Sequence, residues 1–140
     1  MATLFFLIVV FYLYATSLRN VNPKTVAYFD QLKKELKAKG YKNRIYLVST
    51  KRAQWHNRLL STFGAARKSQ HLHGNAIDVL VLDINDDRKS NHQDVEIVKS
   101  LLEKIIGDKG GIGTYMKESF ILNRQMIHFD CRGYHARWDR

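Results

Sequence analysis

Two short stretches of the 140-residue chain hold most of the side chains able to do chemistry: Ser69-Gln-His71-Leu-His73-Gly74-Asn-Ala76-Ile-Asp78 and Ile127-His128-Phe129-Asp130. His71, Asp78 and His128 offer two imidazoles and a carboxylate. That is a donor set for a catalytic zinc centre, which takes three N/O protein ligands and keeps its fourth position open. The spacing has a geometric logic. His71 stands in a loop entering a strand, Gly74 lets the chain turn, and Asp78 points from the strand that follows. The third donor must then come from a neighbouring strand, where His128 sits. Spacing alone leaves a second reading open, in which both histidines are half-buried polar groups satisfied by backbone and Asp78 caps a loop.

These residues have to be positioned by regular elements. Asn22-Pro23 is a helix start, with Asn as N-cap and Pro in the first turn. Val26, Phe29, Leu32 and Leu36 form one stripe over 24–39, and Gly40 supplies the stop. Residues 44–49 alternate as a β-rich strand. Residues 53–63 read as a helix with Trp55, Leu59, Leu60 and Phe63 inward. Residues 76–82 are apolar enough for a central strand. Residues 83–91 read as a polar loop and 94–106 as an amphipathic helix built on Val95, Ile97, Val98, Leu101, Leu102 and Ile105. Residues 109–113 (KGGIG) read as a turn. Residues 125–131 are a strand with Met126, His128 and Asp130 on one face, Ile127 and Phe129 on the other. Helices and strands do not alternate regularly and connections are short, so the expected fold is α+β, a largely antiparallel sheet with helices packed on it.

Composition bounds the rest. The chain has room for one domain of ordinary size. Lys and Arg number 23 against 13 Asp and Glu, a formal net charge of +10, and the first charged side chain is Arg19. The single cysteine, Cys131, excludes an internal disulfide framework and a Cys-based zinc finger. Residues 1–18 are uncharged, with an apolar and aromatic run at 4–13. Ala15-Thr16-Ser17 fits the small-residue cleavage pattern, so this segment reads as a signal peptide or a membrane anchor, cleaved or retained. Residues 22–140 form the functional domain. The basic surplus suits a polyanion, but no helix-turn-helix, RRM or Cys/His finger pattern is present, and no nucleic-acid partner is expected.

Ser69-x-His71-x-x-Gly74-x-Ala76-x-Asp78 resembles the SxHxxGxAxD signature of the zinc D-Ala-D-Ala carboxypeptidase and murein endopeptidase family, whose metal-site scaffold also occurs in the signalling domain of hedgehog proteins. Val48-Ser49-Thr50-Lys51-Arg52 with Asn57 is similar to the family's SGYRSxxxN segment, with Thr-Lys in place of Gly-Tyr. Gly110-Gly111-Ile112-Gly113-x-Tyr115 resembles its GGVGxY, Ile127-His128-Phe129-Asp130 its FVHxD, and Arg137-Trp138 its basic-Trp ending. The resemblance therefore runs from about Ile45 to Trp138.

The resemblance implies that His71, Asp78 and His128 are zinc ligands and that Arg52 approaches the substrate carboxylate or the scissile carbonyl oxygen. Several family members carry an acid or histidine three residues before the last zinc histidine; Gln125 stands there and cannot take a proton. Asp130 is then the first candidate for the base, with orientation of a ligand imidazole as its competing role. Glu118 and His73 are lesser candidates, and His73 reads as a site-wall residue. Tyr115 and Trp138 are core or cleft-wall positions, Cys131 a small buried hydrophobe, and His56, His92 and His135 solvated.

The function implied is an extracytoplasmic zinc metallopeptidase (secreted, periplasmic or membrane-anchored) acting on peptidoglycan stem peptides or cross-links, with anionic wall polymers as a further partner. A non-catalytic, zinc-stabilised cell-wall or protein binding module is the alternative. A basic nucleic-acid binder with incidental histidines is the third.

Overall fold

In chain order the elements are α1 (Ala2–Ala15), α2 (Pro23–Ala38), β1 (Ile45–Ser49), α3 (Gln54–Ser61), β2 (Ala76–Val81), α4 (His92–Ile106), β3 (Gly111–Tyr115), β4 (Met126–Asp130) and β5 (Ala136–Asp139). A single 3-10 turn, Gln70–His73, leads into β2. This computed structural model describes residues 2–62, 69–116 and 125–140. Phe63 and Glu118, both singled out from the sequence, lie outside the described residues.

The strands form one sheet in the order β1-β2-β4-β3-β5. All neighbouring pairs are antiparallel except β3 with β5. The fold is the expected α+β arrangement. On one face, Ile77, Val79, Ile127, Phe129 and Ile112 meet Phe29, Leu32 and Leu36 of α2 and Val95, Val98 and Leu102 of α4 in a single buried core. Phe29 stacks on Phe129 with ring centroids 6.4 Å apart. Each of these larger side chains contributes about 1.5–3 kcal/mol through removal from water. Strand alternation sends the intervening residues of β2 and β4 to the opposite face.

Both long helices start where local chemistry dictates. The Asn22 side chain accepts from Lys24 N, and Pro23 occupies the first turn. The Asn91 side chain accepts from Gln93 N at 2.7 Å while Asp94 reaches back to Asn91 N at 2.9 Å, so α4 begins at His92 rather than at 94. Asp94 is fully buried because it also accepts from Ile84 N, fastening the polar loop onto the helix.

Three expectations are corrected. The KGGIG stretch read as a turn enters a strand. A Cβ on Gly113 would run into the Trp138 indole, and one on Gly111 into Asp130 and Arg132. These glycines are there for close approach, not for turning. In α3, Trp55 and Leu59 face solvent at 62% and 56% exposure, while His56 and Asn57 are buried. The helix presents its polar face to the protein because Phe11 of α1 lies edge-on against His56 at 5.2 Å. His56 is therefore not solvated; His92 and His135 are exposed as expected. β5 had no counterpart in the expected elements, since its four residues are too short to show a period.

Asp94→Ala should lower unfolding free energy by about 2–4 kcal/mol in urea denaturation, because it removes the cap of α4 and strands the buried Ile84 N–H.

Candidate metal centre

On the face opposite the core, one cross-strand row runs Ser49, Asp78, His128, Gly113, Trp138 through β1, β2, β4, β3 and β5. Directly paired residues of antiparallel strands place their side chains side by side. Asp78 and His128 thus meet through register alone, with His128 Nδ1 2.8 Å from Asp78 Oδ1. The third member arrives from the loop before β2. Ser69 opens the 3-10 turn, its Oγ accepting from His71 N at 3.3 Å, and Gly74 closes it at φ +70°, a left-handed conformation that suits glycine. This brings His71 Nε2 to 3.1 Å from Asp78 Oδ2 and 3.2 Å from His128 Nδ1. His71, Asp78 and His128 are all buried.

The outward nitrogens of both rings are engaged by other groups. His71 Nδ1 lies 2.5 Å from the Thr50 carbonyl oxygen, which can only accept, so Nδ1 carries the proton and Nε2 keeps its lone pair. His128 Nε2 lies 2.9 Å from Asp130 Oδ2, leaving Nδ1 as the inward nitrogen. In their neutral forms, the two tautomers so selected leave an unprotonated nitrogen of each ring beside the Asp78 carboxylate, so that three donor atoms face one point. Ligands held at about 2.0–2.1 Å in tetrahedral array stand about 3.3 Å from one another. The observed separations of 2.8 to 3.2 Å are slightly tighter than that, and the donor set fits a small divalent cation.

Burial by itself would raise the Asp78 carboxyl, but the positive charge and hydrogen bonds that the His71 and His128 rings supply in their protonated forms outweigh it and hold it well below the usual carboxylate range. Burial pushes His71 down against the pull of Asp78, with Arg52 and His128 adding to the fall. Burial also acts downward on His128, yet its hydrogen bonds to Asp130 and Asp78 prevail and raise it. Without metal, the raised pKa favours the protonated ring, which can donate to Asp78 and to Asp130 together.

Asp130 is fully buried and saturated. Its Oδ1 accepts from Gly111 N and from Arg132 N and Nε; its Oδ2 accepts from His128 Nε2 and, at 2.6 Å, from Arg132 Nη2. The hydrogen bonds from His128 and Arg132 overcome burial and depress its carboxyl. Of the two roles read from the sequence, this geometry matches orientation of the imidazole. Arg52 places Nη2 2.6 Å from Asp78 Oδ2 and is steadied by Ser49 Oγ at 2.9 Å on Nε. Gln125 turns away at φ +64° and donates to the Asn91 carbonyl. His73 is exposed and stands outside the cluster, and Cys131 packs half-buried against the core. Trp138 closes the row 5.2 Å from His128, with its Nε1 donating to Tyr115 Oη at 3.3 Å.

Residues 14–122 match the Peptidase M15 family. The chain belongs to the peptidase M15 family. The match ends before β4, so His128 and Asp130 join the site through sheet register rather than through the matched stretch. The fold is similar to the crystal structure of the Serratia marcescens L-Ala D-Glu endopeptidase ChiX, with a TM-score of 0.54 at 16% identity, over 81% of this chain and 82% of that one. No curated protein matches the chain in sequence.

Sequence reasoning passed over three contributors to this M15 site. Thr50 acts through its carbonyl, which no side-chain motif can reveal. Arg132 lies two residues past Asp130, a spacing that carries meaning only once Asp130 is known to be buried. His56 is buried with Nδ1 unpartnered among the described residues, and burial, then Arg52 and His71, lower its pKa.

Nitrogen-15 NMR of the metal-free protein should show neutral His71 as the Nδ1–H tautomer. Above the raised pKa of His128, that ring should be the Nε2–H tautomer; the opposite pair would contradict the geometry. Asp130→Ala should destabilise the fold by about 3–5 kcal/mol, because Arg132 loses the partner of a largely buried ion pair. Chemical denaturation measures it.

Proposed function

We propose that the chain is a zinc-dependent peptidase that hydrolyses peptidoglycan stem peptides or cross-links outside the cytoplasm. The observation that carries this is the convergence of His71 Nε2, Asp78 and His128 Nδ1, with both imidazole tautomers selected from behind. Family membership supports peptidase chemistry, and the L-Ala D-Glu endopeptidase sharing the fold supports a murein peptide as substrate. Export is supported by the uncharged apolar leader, and the basic surplus suits retention near anionic wall polymers.

Zinc, when bound, polarises the scissile carbonyl and brings the pKa of a coordinated water towards about 7. The protein's own residues do the rest. His71, Asp78 and His128 would hold the ion; Thr50 and Asp130 fix the two rings; Arg132 keeps Asp130 ionised. Arg52, with Nη2 on Asp78, lends a permanent positive charge beside the site for the developing oxyanion or a substrate carboxylate. Trp138 and Tyr115 flank the site on the β5 side. Asp130 is a positioning residue, since both of its oxygens are already engaged.

One observation favours the alternative of a zinc-stabilised binding module. Among the described residues, Gln125 cannot accept a proton and Asp130 has no free oxygen to receive one. Glu118 is the acid left from the sequence reading, and its substitution separates the two cases.

Metal analysis should return one zinc per chain, with His71→Ala and His128→Ala each abolishing it. Asp130→Asn should weaken zinc binding about 10–100-fold. Mass spectrometry of digested muropeptides should show cleavage by the zinc-loaded protein, lost in His71→Ala and reduced at least a hundredfold in Glu118→Gln if that residue is the base. Zinc-loaded protein that binds walls but leaves every muropeptide intact would establish the binding module instead.

A further inference from the structure

The element least explained by peptidase chemistry is α1. Over its 14 residues it carries no charge, and large apolar side chains face outward on every side. Leu4, Phe5, Phe6, Leu7, Ile8 and Leu13 are each 57–70% exposed. At about 1.5 Å per residue the helix is about 21 Å long. Among the described residues, no helix is long and apolar enough to cross a membrane. A surface like this, uncovered by the described residues, calls for an apolar partner.

The end of α1 is bonded into the domain. Thr50 N donates to the Ala15 carbonyl at 2.8 Å, and Thr50 Oγ1 donates to the carbonyls of Ala15 at 3.0 Å and Ser17 at 2.7 Å. Ala53 N donates to Tyr14 Oη at 3.0 Å, and Phe11 seats edge-on against His56. Thr50 is also the residue whose carbonyl selects the His71 tautomer. Thr50 therefore links the helix end to a metal-ligand candidate. Cleavage after Ser17 would remove every acceptor that Thr50 uses.

The surroundings of that end indicate the partner. Tyr12 and Tyr14 lie in its last turn, and Trp55 and Leu59, spaced i,i+4 on α3, add exposed apolar surface beside it. Arg19 just past α1, Lys51 just before α3 and Arg58 on α3 are exposed. Apolar residues ending in Tyr and Trp and bordered by cations form the pattern of a lipid interface, and the cations match anionic headgroups. A water-soluble protein partner would give no reason for apolar exposure around the whole circumference of the helix.

We propose that α1 is a retained part of the peptidase, seated in an anionic lipid bilayer, and that its C-terminal end props His71 through Thr50. The seat in the bilayer is independent of zinc; its bearing on catalysis rests on the metal reading above.

Full-length protein should float with vesicles of phosphatidylethanolamine and phosphatidylglycerol, and several-fold less with phosphatidylcholine alone. The double variant Phe5→Lys/Ile8→Lys should lose at least tenfold in partition while binding zinc as before. Wild-type protein that stays in the aqueous phase, whether as a monomer or as an oligomer that buries α1 in itself, overturns the proposal. So does an intact mass from bacterial membranes showing a chain that begins after Ser17. Thr50→Val should lose the sharp His71 Nδ1–H resonance of the metal-free protein and weaken zinc binding at least about tenfold, with Thr50→Ser restoring both. An unchanged resonance in Thr50→Val overturns the link to His71. The resonance is read without zinc, so failure of the wild type to bind zinc would count against the peptidase reading alone.

Discussion

The pairing of Asp78 with His128 across β2 and β4 is the constraint around which the rest is arranged. A carboxylate shut away from water is costly unless charges and hydrogen bonds surround it. Asp78 receives them from His128 on one side and from Arg52 on the other. Each of those groups in turn needs support. The Thr50 carbonyl accepts a hydrogen bond from His71, Asp130 accepts one from His128, and Arg132 with Gly111 N compensates Asp130. The result is a buried polar network in which most members have defined partners. Such a network specifies one arrangement strongly, because a half-satisfied version is worse than none.

The same sheet serves two incompatible environments. Period-two alternation puts Ile77, Val79, Ile127 and Phe129 into a dry core with α2 and α4, while Asp78, His128 and Asp130 stand on the other face. A one-residue slip between β2 and β4 would drive charges into the core and apolar side chains into the site. The core thus holds the register on which the site depends. Gly111 and Gly113 complete the arrangement by leaving room where β3 passes beneath Arg132 and Trp138.

Support for the site also extends beyond the sheet, through Thr50 to the end of α1 and through Ser49 to Arg52. Both routes pass through the end of β1 and the residues just after it. That segment works by backbone carbonyls and hydroxyls rather than by ionisable groups, and a motif built on reactive side chains shows only part of it.

Much of this was legible in the primary sequence. The stripe of Phe29, Leu32 and Leu36, the Asn22-Pro23 start, the apolar run at 76–82 and the two-faced strand at 125–131 are local patterns that neighbouring residues display together. The donor types at His71, Asp78 and His128 were legible for the same reason: chemistry is written in residue identity. What tertiary structure alone decided was contact between segments far apart in the chain. Glycines that look like a turn form a strand because Trp138 needs the space. α3 shows its aromatic side to solvent because α1 claims the other. Asp130 orients an imidazole because Arg132 and Gly111 fill its remaining acceptor sites. Local periodicity is a property of consecutive residues, whereas burial and saturation depend on which distant atoms arrive, and only the folded chain brings them together.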